Sequence, residues 1–289
     1  MHTPVKSVYI GALILVASEA LFAGVGGLIK YLSETLNQSQ LIFFRNLFAM
    51  LVLLPWVAKK KFTALNTTRA GLHLFRALTG LTGMYCFFFM LANLPLTSAI
   101  LALKTAPFFI PVIAHYWLKE PISIKSVAAI GIGFIGVLFI LDLSNQNTDF
   151  KWAFAAAGLC CALLVATTKC TLSKLSDTEP AVRIVFYFTG LSTLVSFPIM
   201  LLYWQPIPNN TWGLITIMSA LAVVGQLLMT KAYQYASPVK IGLLGYSSVV
   251  FAAVLGAFIW QQSIGINLAI GMAFLLWAAN ITLRQKWGW

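Results

Sequence analysis

The stretch Ala92–Gly136, ANLPLTSAILALKTAPFFIPVIAHYWLKEPISIKSVAAIGIGFIG, decides the architecture. An apolar run enters through Pro95, is broken at Pro107 and Pro111, and closes on Trp117-Leu118-Lys119-Glu120-Pro121; a second apolar run follows at once. Tyr235–Ile281, YASPVKIGLLGYSSVVFAAVLGAFIWQQSIGINLAIGMAFLLWAANI, returns to the same plan. One constant offset carries the first stretch onto the second. It pairs Pro95 with Pro238, Leu101 with Leu244, Phe108 with Phe251 and Trp117 with Trp260, and upstream Phe43 with Phe186, Leu51 with Leu194, Val52 with Val195 and Pro55 with Pro198. Leucines and valines coincide easily in apolar sequence. Two prolines and a tryptophan in one frame are far less easily explained that way.

The composition states the solvent. Of 289 residues, 60% are hydrophobic and 9% charged, against about 25% charged in soluble domains, and the mean hydropathy is +0.88. Such a chain cannot present a water-compatible surface, so it reads as a polytopic membrane protein. Ten apolar segments emerge: Val8–Ile29, Gln40–Ala58, Gly71–Asn93, Ser98–Leu118, Ile124–Leu141, Trp152–Thr171, Ile184–Trp204, Trp212–Tyr235, Ile241–Trp260 and Gly265–Leu283. Each approaches the ~20 residues a helix needs to cross the hydrocarbon core. The first is read as a retained span, because no clear small-residue cleavage site follows it.

A formal charge of +12 would suggest nucleic acid in a soluble protein. Here the basic residues gather in connecting loops. Lys59, Lys60, Lys61, Arg69, Lys119, Lys125, Lys174, Arg183, Lys240, Arg284 and Lys286 fall on the side of the N-terminus, whereas the other side holds Lys30 and Lys151 with Glu34, Asp142 and Asp149. The positive-inside rule places both termini in the cytoplasm, and no nucleic-acid partner is expected. Five spans per half is odd, so the second half enters from the opposite face. The expected fold is all-α, ten transmembrane helices as two inverted five-helix repeats at 1–145 and 146–289, a plan on which alternating-access carriers are built.

Several segments resemble the EamA type of the drug/metabolite transporter superfamily: IFFRNLFAMLVLLPW (Ile42–Trp56), LFRALTGLTGMYCFFFMLANLPLTSA (Leu74–Ala99), TAPFFIPVIAHYWLKEPIS (Thr105–Ser123), GFIGVLFIL (Gly133–Leu141), VFYFTGLSTLVSFP (Val185–Pro198) and GQLLMTKAYQYASP (Gly225–Pro238). The resemblance covers nearly the whole chain and extends to the branch with S-adenosylmethionine and riboflavin uptake carriers. Where the family has an acidic residue after the ninth span, this chain has Gln261-Gln262, while Glu120 keeps it in the first half. The resemblance implies a secondary active transporter in the bacterial inner membrane. It would move a small organic metabolite, amino-acid-like, zwitterionic or anionic/aromatic, by alternating access around a site made by spans one, three, four, six, eight and nine. A drug or metabolite exporter of the same fold is the alternative. Its partners are then the metabolite and the lipid bilayer, with homodimeric assembly left open.

Ionisable groups inside spans are functional candidates because burying them in hydrocarbon is costly. Glu19 lies near the middle of span one, and Arg45, Arg76 and Lys104 lie within spans two, three and four. Glu19 is expected to bind a substrate ammonium, to carry a proton, or to pair with one of these three cations. The surplus positive charge suits a carboxylate on the substrate and places its charged end in the first half. Arg76, near a span end, has a second reading as a snorkelling side chain. Tyr85, Tyr187 and Tyr246 join the candidates because a phenol inside a span needs a hydrogen-bond partner, and Gln226 because its amide is expensive to leave facing lipid.

Other motifs dissolve on inspection. Gly131–Gly136 matches G-x-G-x-x-G but sits inside an apolar segment rather than after a strand. Asn37-Gln-Ser39 and Asn209-Asn-Thr211 match glycosylation sequons without a secretory context. His73 and His115 are isolated, and Cys86, Cys160, Cys161 and Cys170 lack metal-ligand spacing and read as small packing residues. No catalytic triad, metalloprotease motif or P-loop is visible, so neither an enzyme nor ATP-driven transport is expected, and no cofactor or metal. The competing classes are a membrane enzyme, which would need nucleophiles or metal ligands clustered at one face, and a channel or non-transporting scaffold; a channel would need a continuous polar stripe. The topology makes a direct prediction. In a cysteine-free background, a membrane-impermeant thiol reagent added outside should label Ser144→Cys and not Ala64→Cys; the reverse pattern would invert the assignment.

Overall fold

The computed structural model describes residues 5–59, 65–94, 96–103, 105–119, 148–261 and 265–283, with scattered positions between 124 and 139. Most of the expected fifth span, and Lys104, Glu120, Ala64 and Ser144, lie outside the described residues. The elements are α1 (Val5–Leu32), α2 (Gln38–Lys59), α3 (Ala70–Asn93), α4 (Leu96–Leu103), α5 (Ala106–Leu118), α6 (Thr148–Ser176), α7 (Ala181–Leu202), a 3₁₀ turn (Asn209–Thr211), α8 (Trp212–Tyr235), α9 (Pro238–Ile241), a second 3₁₀ turn (Gly242–Tyr246), α10 (Ser247–Trp260) and α11 (Ile266–Leu283). Among the described residues, six helices are long and apolar enough to cross a membrane, and two shorter apolar helices accompany them.

The distribution of side chains inverts that of a soluble protein. Leu194 and Phe258 are 71% and 84% exposed, while Glu19, Arg45, Arg76 and Lys169 are buried. Lipid solvates the outer apolar faces, and the interior collects the polar groups that lipid would not accept. Helix ends are closed by local chemistry. At the start of α2, the Asn37 side chain accepts from the Ser39 N–H at 2.8 Å, and the Asn37 N–H donates to Gln40 Oε1 at 3.4 Å, the reciprocal pattern of a capping box. The end of α3 is closed by Lys30 Nζ, which donates to the Leu94 carbonyl at 2.9 Å.

The offset seen in the sequence recurs in the elements. Residues 38–59 form α2 and 181–202 form α7; 5–32 form α1 and 148–176 form α6; 70–93 form α3 and 212–235 form α8. Packing partners exchange in the same way. α1 lies along α8 and α3 along α6, α5 packs on α6 and α10 on α1, and α2 and α7 pack on each other.

The fourth segment is described as two helices, α4 and α5, and the ninth as the turn α9, a 3₁₀ turn and α10. In the fourth segment Thr105 is a turn residue, and α5 begins after it at Ala106. Pro107 sits at the first positions of α5, where it lacks the N–H that would continue the helical ladder from α4. The ninth begins as the single turn α9, tightens into 3₁₀ geometry over Gly242–Tyr246, and becomes α-helical only at Ser247. Glycine, which costs about 1 kcal/mol in a helix interior, does there what proline does in the fourth. Both α5 and α10 end on left-handed residues, Lys119 (φ 61°) and Gln261 (φ 50°).

The seam between α1 and α8 is close. A Cβ on Gly11 would lie 3.0 Å from Tyr235 Cβ and 3.1 Å from the Ala232 carbonyl oxygen, whereas one on Gly24 meets nothing within 4 Å. Gly11→Leu should therefore lower the thermal unfolding midpoint of the detergent-purified protein, by on the order of the 1–3 kcal/mol typical of overpacking. Gly24→Leu should leave it nearly unchanged, and equal effects would contradict the seam.

Candidate functional site

A cavity of about 160 Å³ lies in the interior, lined from α1 by Glu19, from α2 by Arg45, from α3 by Arg76, from α6 by Thr168 and Lys169, and from α8 by Gln226. Leu103, Ala106 and Pro107 line it at the interruption between α4 and α5, and Ser248 at the start of α10. Broken helices place free backbone ends and irregular geometry beside a cavity, where polar groups are tolerated. The remainder of the wall is largely aromatic and aliphatic, including Phe22, Phe87, Phe88 and Phe188. A single water needs roughly 10–15 Å³ of such space, so the cavity admits a small organic molecule.

Four of the eight residues selected from the sequence, Glu19, Arg45, Arg76 and Gln226, line this cavity together. Lys104 lies outside the described residues. Tyr85, Tyr187 and Tyr246 are not among the residues that line it. Tyr187 points to one end of the bundle, where its hydroxyl donates to the Leu65 carbonyl at 2.7 Å and its ring stacks on His73 at 4.4 Å. Tyr246 is buried beside Phe108, their rings 6.4 Å apart, and its hydroxyl meets no hydrogen-bond partner among the described residues. Tyr85 is half-buried on α3 and packs against the core. The need of a phenol for a partner does not by itself direct it toward a cavity.

The charges are arranged differently from expectation. Glu19 Oε1 lies 3.9 Å from Lys169 Nζ, both side chains buried, so an ion pair joins α1 to α6. Lys169 escaped notice because it lies two residues from the expected end of the sixth segment at Thr171; the helix continues to Ser176 and draws it inside. A count of every ionisable residue within that segment would have found it. It also brings a cation from the second half into the cavity wall. Arg76 does not snorkel: it is 1% exposed. Its Nη2 donates to Gln226 Oε1 at 3.2 Å and its guanidinium lies over the Phe188 ring at 4.2 Å, while Nε and Nη1 have no hydrogen-bond partner. Arg45 Nη1 donates to Met84 Sδ at 2.6 Å, and its Nε is without a partner. Among the described residues neither guanidinium has a carboxylate within 4.0 Å. A Cβ on Gly80 would lie 2.8 Å from Phe188, so the absent side chain lets that ring stand beneath Arg76.

The two ends of α7 are closed by different chemistry. At its start, Glu179 is buried between halves: Oε1 accepts from Thr67 Oγ1 at 2.6 Å and lies 3.9 Å from His73 Nε2, and Oε2 accepts from Arg183 Nη1 at 2.6 Å. Burial alone would raise the Glu179 pKa, but the Thr67 and Arg183 hydrogen bonds and the Arg183 charge outweigh it and hold the carboxyl below its usual range. His73 is thus no isolated residue. Beyond the other end of α7, Phe44 packs edge-on against Trp212 at 5.1 Å and Trp204 at 6.4 Å, and Gln40 Nε2 donates to the Gln205 carbonyl at 2.6 Å. Cys161 and Cys170 are buried as expected of packing residues, whereas Cys160 is exposed. Among the described residues no cluster of His, Cys, Asp or Glu could hold a metal ion.

The EamA-like transporter family model matches residues 9–142 and again 151–284. The chain belongs to the EamA-like transporter family. Within this drug/metabolite transporter superfamily, it is 26% identical over 279 residues to the pseudopaline exporter CntI of Pseudomonas aeruginosa, covering 95% of this chain and 96% of that one. It is 25% identical to the S-adenosylmethionine uptake transporter of Rickettsia felis, over 81% of this chain and 78% of the relative. The riboflavin transporter of Brucella anthropi is 22% identical, over 85% and 88%. A solved crystal structure superposes with a TM-score of 0.71 at 14% identity, covering 96% of each chain, and so shares the fold of this EamA chain. The protein is a multi-pass membrane protein of a transporter family whose relatives handle small molecules.

The Glu19–Lys169 pair generates a prediction. Removing one member of a buried pair strands the other charge, at a cost of roughly 3–5 kcal/mol. Lys169→Met and Glu19→Gln should each lower the thermal midpoint in detergent, and the double variant should lose less than the sum. Strict additivity would show that the two groups are not coupled.

Proposed function

We propose that this protein is a secondary active carrier that moves a small organic metabolite across the bacterial inner membrane by alternating access. Its two halves, 1–145 and 146–289, are inverted five-span repeats, giving ten spans with both termini in the cytoplasm. The observation that carries this reading is the charged cavity. It is walled by α1, α2 and α3 on one side and α6 and α8 on the other, and it touches the interruptions in the fourth and ninth segments. Substrate sites in inverted-repeat carriers lie at the repeat interface, against discontinuous helices. Glu19, Arg45, Arg76, Lys169 and Gln226 are the proposed binding groups, with Phe188 supporting Arg76.

Alternating access needs a closure on each side that can release while the other holds. The Glu179 network at the start of α7 and the aromatic contacts beyond its end supply two such closures, both made between residues of different halves. The pairing with Lys169 favours Glu19 as a fixed counter-ion over a proton carrier. Relatives named for export and for uptake both resemble the chain, so the decisive assay is one blind to direction.

That assay is substrate counterflow in proteoliposomes, with labelled L-glutamate, S-adenosylmethionine and riboflavin offered in turn against the same compound inside. At least one should accumulate transiently above protein-free liposomes, and Glu19→Gln should abolish that exchange together with some thermal stability. Retained counterflow with loss only of pH-gradient-driven uptake would assign Glu19 to proton transfer instead. No counterflow with any of the three would oppose the carrier reading.

A further inference from the structure

The carrier reading leaves the cavity's charge unexplained. Lys169 and Glu19 balance one another. Among the described residues Arg45 and Arg76 remain, 6% and 1% exposed, on the same cavity wall. A guanidinium carries five N–H donors and cannot shed its charge in a protein. Among the described residues, three buried nitrogens of the two arginines have no hydrogen-bond partner, Arg45 Nε, Arg76 Nε and Arg76 Nη1. Among the described residues they donate to a thioether and an amide oxygen, both uncharged. Packing alone does not explain this arrangement, because a buried charge without a counter-charge opposes folding and an apolar side chain of similar size would be favoured there. Two such charges on one cavity wall mark a place for a ligand that carries the missing charge.

We propose that the cavity selects a small molecule with two carboxylates, one for each guanidinium, and an apolar or aromatic body. This deepens, and rests on, the carrier reading. The planar fork of each arginine matches a carboxylate bidentately. The body of the ligand would lie against Phe22, Phe87 and Phe88. A monocarboxylate leaves one guanidinium stranded, and a cation adds a third positive charge to an already positive site. An ammonium on the ligand has the Glu19–Lys169 pair to meet, where Glu19 can exchange one cation for another.

The probes are a matched pair, N-benzoyl-L-glutamate and N-benzoyl-L-glutamine, alike in size and ring and different by one carboxylate. L-Glutamate with L-glutamine serves as the smaller pair, and sodium sulfate as an inorganic anion. Thermal stabilisation of purified wild type is measured against concentration of each. The diacid should reach half-maximal stabilisation at a concentration roughly tenfold or more below its monoacid partner in at least one pair, since each added charge-assisted hydrogen bond counts for more than a neutral one. Arg45→Met and Arg76→Met should each erase that preference while raising the unfolding midpoint of the ligand-free protein. Where a Met variant does not fold, the Lys variant, which keeps charge and loses the fork, should weaken the diacid preference. Equal response to diacid and monoacid, no response to any organic probe, sulfate matching the diacid, or a diacid preference that survives both arginine variants would each overturn the proposal. Counterflow separates this failure from failure of the carrier reading. Transport of S-adenosylmethionine or riboflavin without diacid preference retains the carrier and sinks the diacid, whereas arginine-dependent diacid binding without counterflow does the reverse.

Discussion

A charge placed inside a membrane protein must be answered by another charge, by hydrogen-bonding groups or by water, because lipid answers nothing. This constraint orders the whole structure. Arg45, Arg76, Lys169 and Glu19 face inward around one cavity, while leucines and phenylalanines such as Leu194 and Phe258 face outward. The helices that carry these groups are held by other means. Close approach at Gly11, the Ser18 hydroxyl donating to the Gly225 carbonyl at 2.8 Å, and the apolar core bring α1 and α8 together. The charged cavity is then a site the packing tolerates, and its unpaired donors are the stored demand for a ligand.

The same economy explains the broken helices. An uninterrupted helix satisfies every backbone group and has nothing left for a substrate. The cavity wall includes Leu103, Ala106 and Pro107 where α4 gives way to α5, and Ser248 just past the 3₁₀ turn at Gly242–Tyr246. Proline does this in one half and glycine in the other, so related positions reach similar geometry by different chemistry. The closures at the ends of α7 differ even more. Glu179, Arg183, Thr67 and His73 form a polar tie, while Phe44, Trp204 and Trp212 form an apolar one. A carboxyl held below its usual range makes the polar tie strongest well above that range and weaker as acid protonates it.

Much of this was legible in the residues. The frame that pairs Pro95 with Pro238 and Trp117 with Trp260 also pairs residues 38–59 with 181–202 as helices of equal length. Apolar length and composition marked the spans, charge within a span marked Glu19, Arg45 and Arg76, and a neutral amide within a span marked Gln226. The misses have physical causes. Periodicity reports hydrophobicity, so a helix broken inside an apolar run, as at Gly242–Tyr246, looks continuous. Lys169 was hidden by a boundary set where hydropathy fell, not where the helix ended. Partner choice is tertiary: nothing local to Glu19 says that its cation comes from α6. Tyr187 and Tyr246 show that a hydroxyl inside a span can be met at a bundle end or, among the described residues, not at all.

The central claim is that the cavity opens alternately to the two sides of the membrane. Thr168 lines it on α6, its hydroxyl 3.1 Å from that of Thr79 on α3. Thr168→Cys in a background lacking the four native cysteines, treated with a membrane-impermeant thiol reagent in right-side-out and in inside-out vesicles, measures that opening directly. The account predicts labelling from both sides. Labelling from one side only, whatever solute is present, would contradict it.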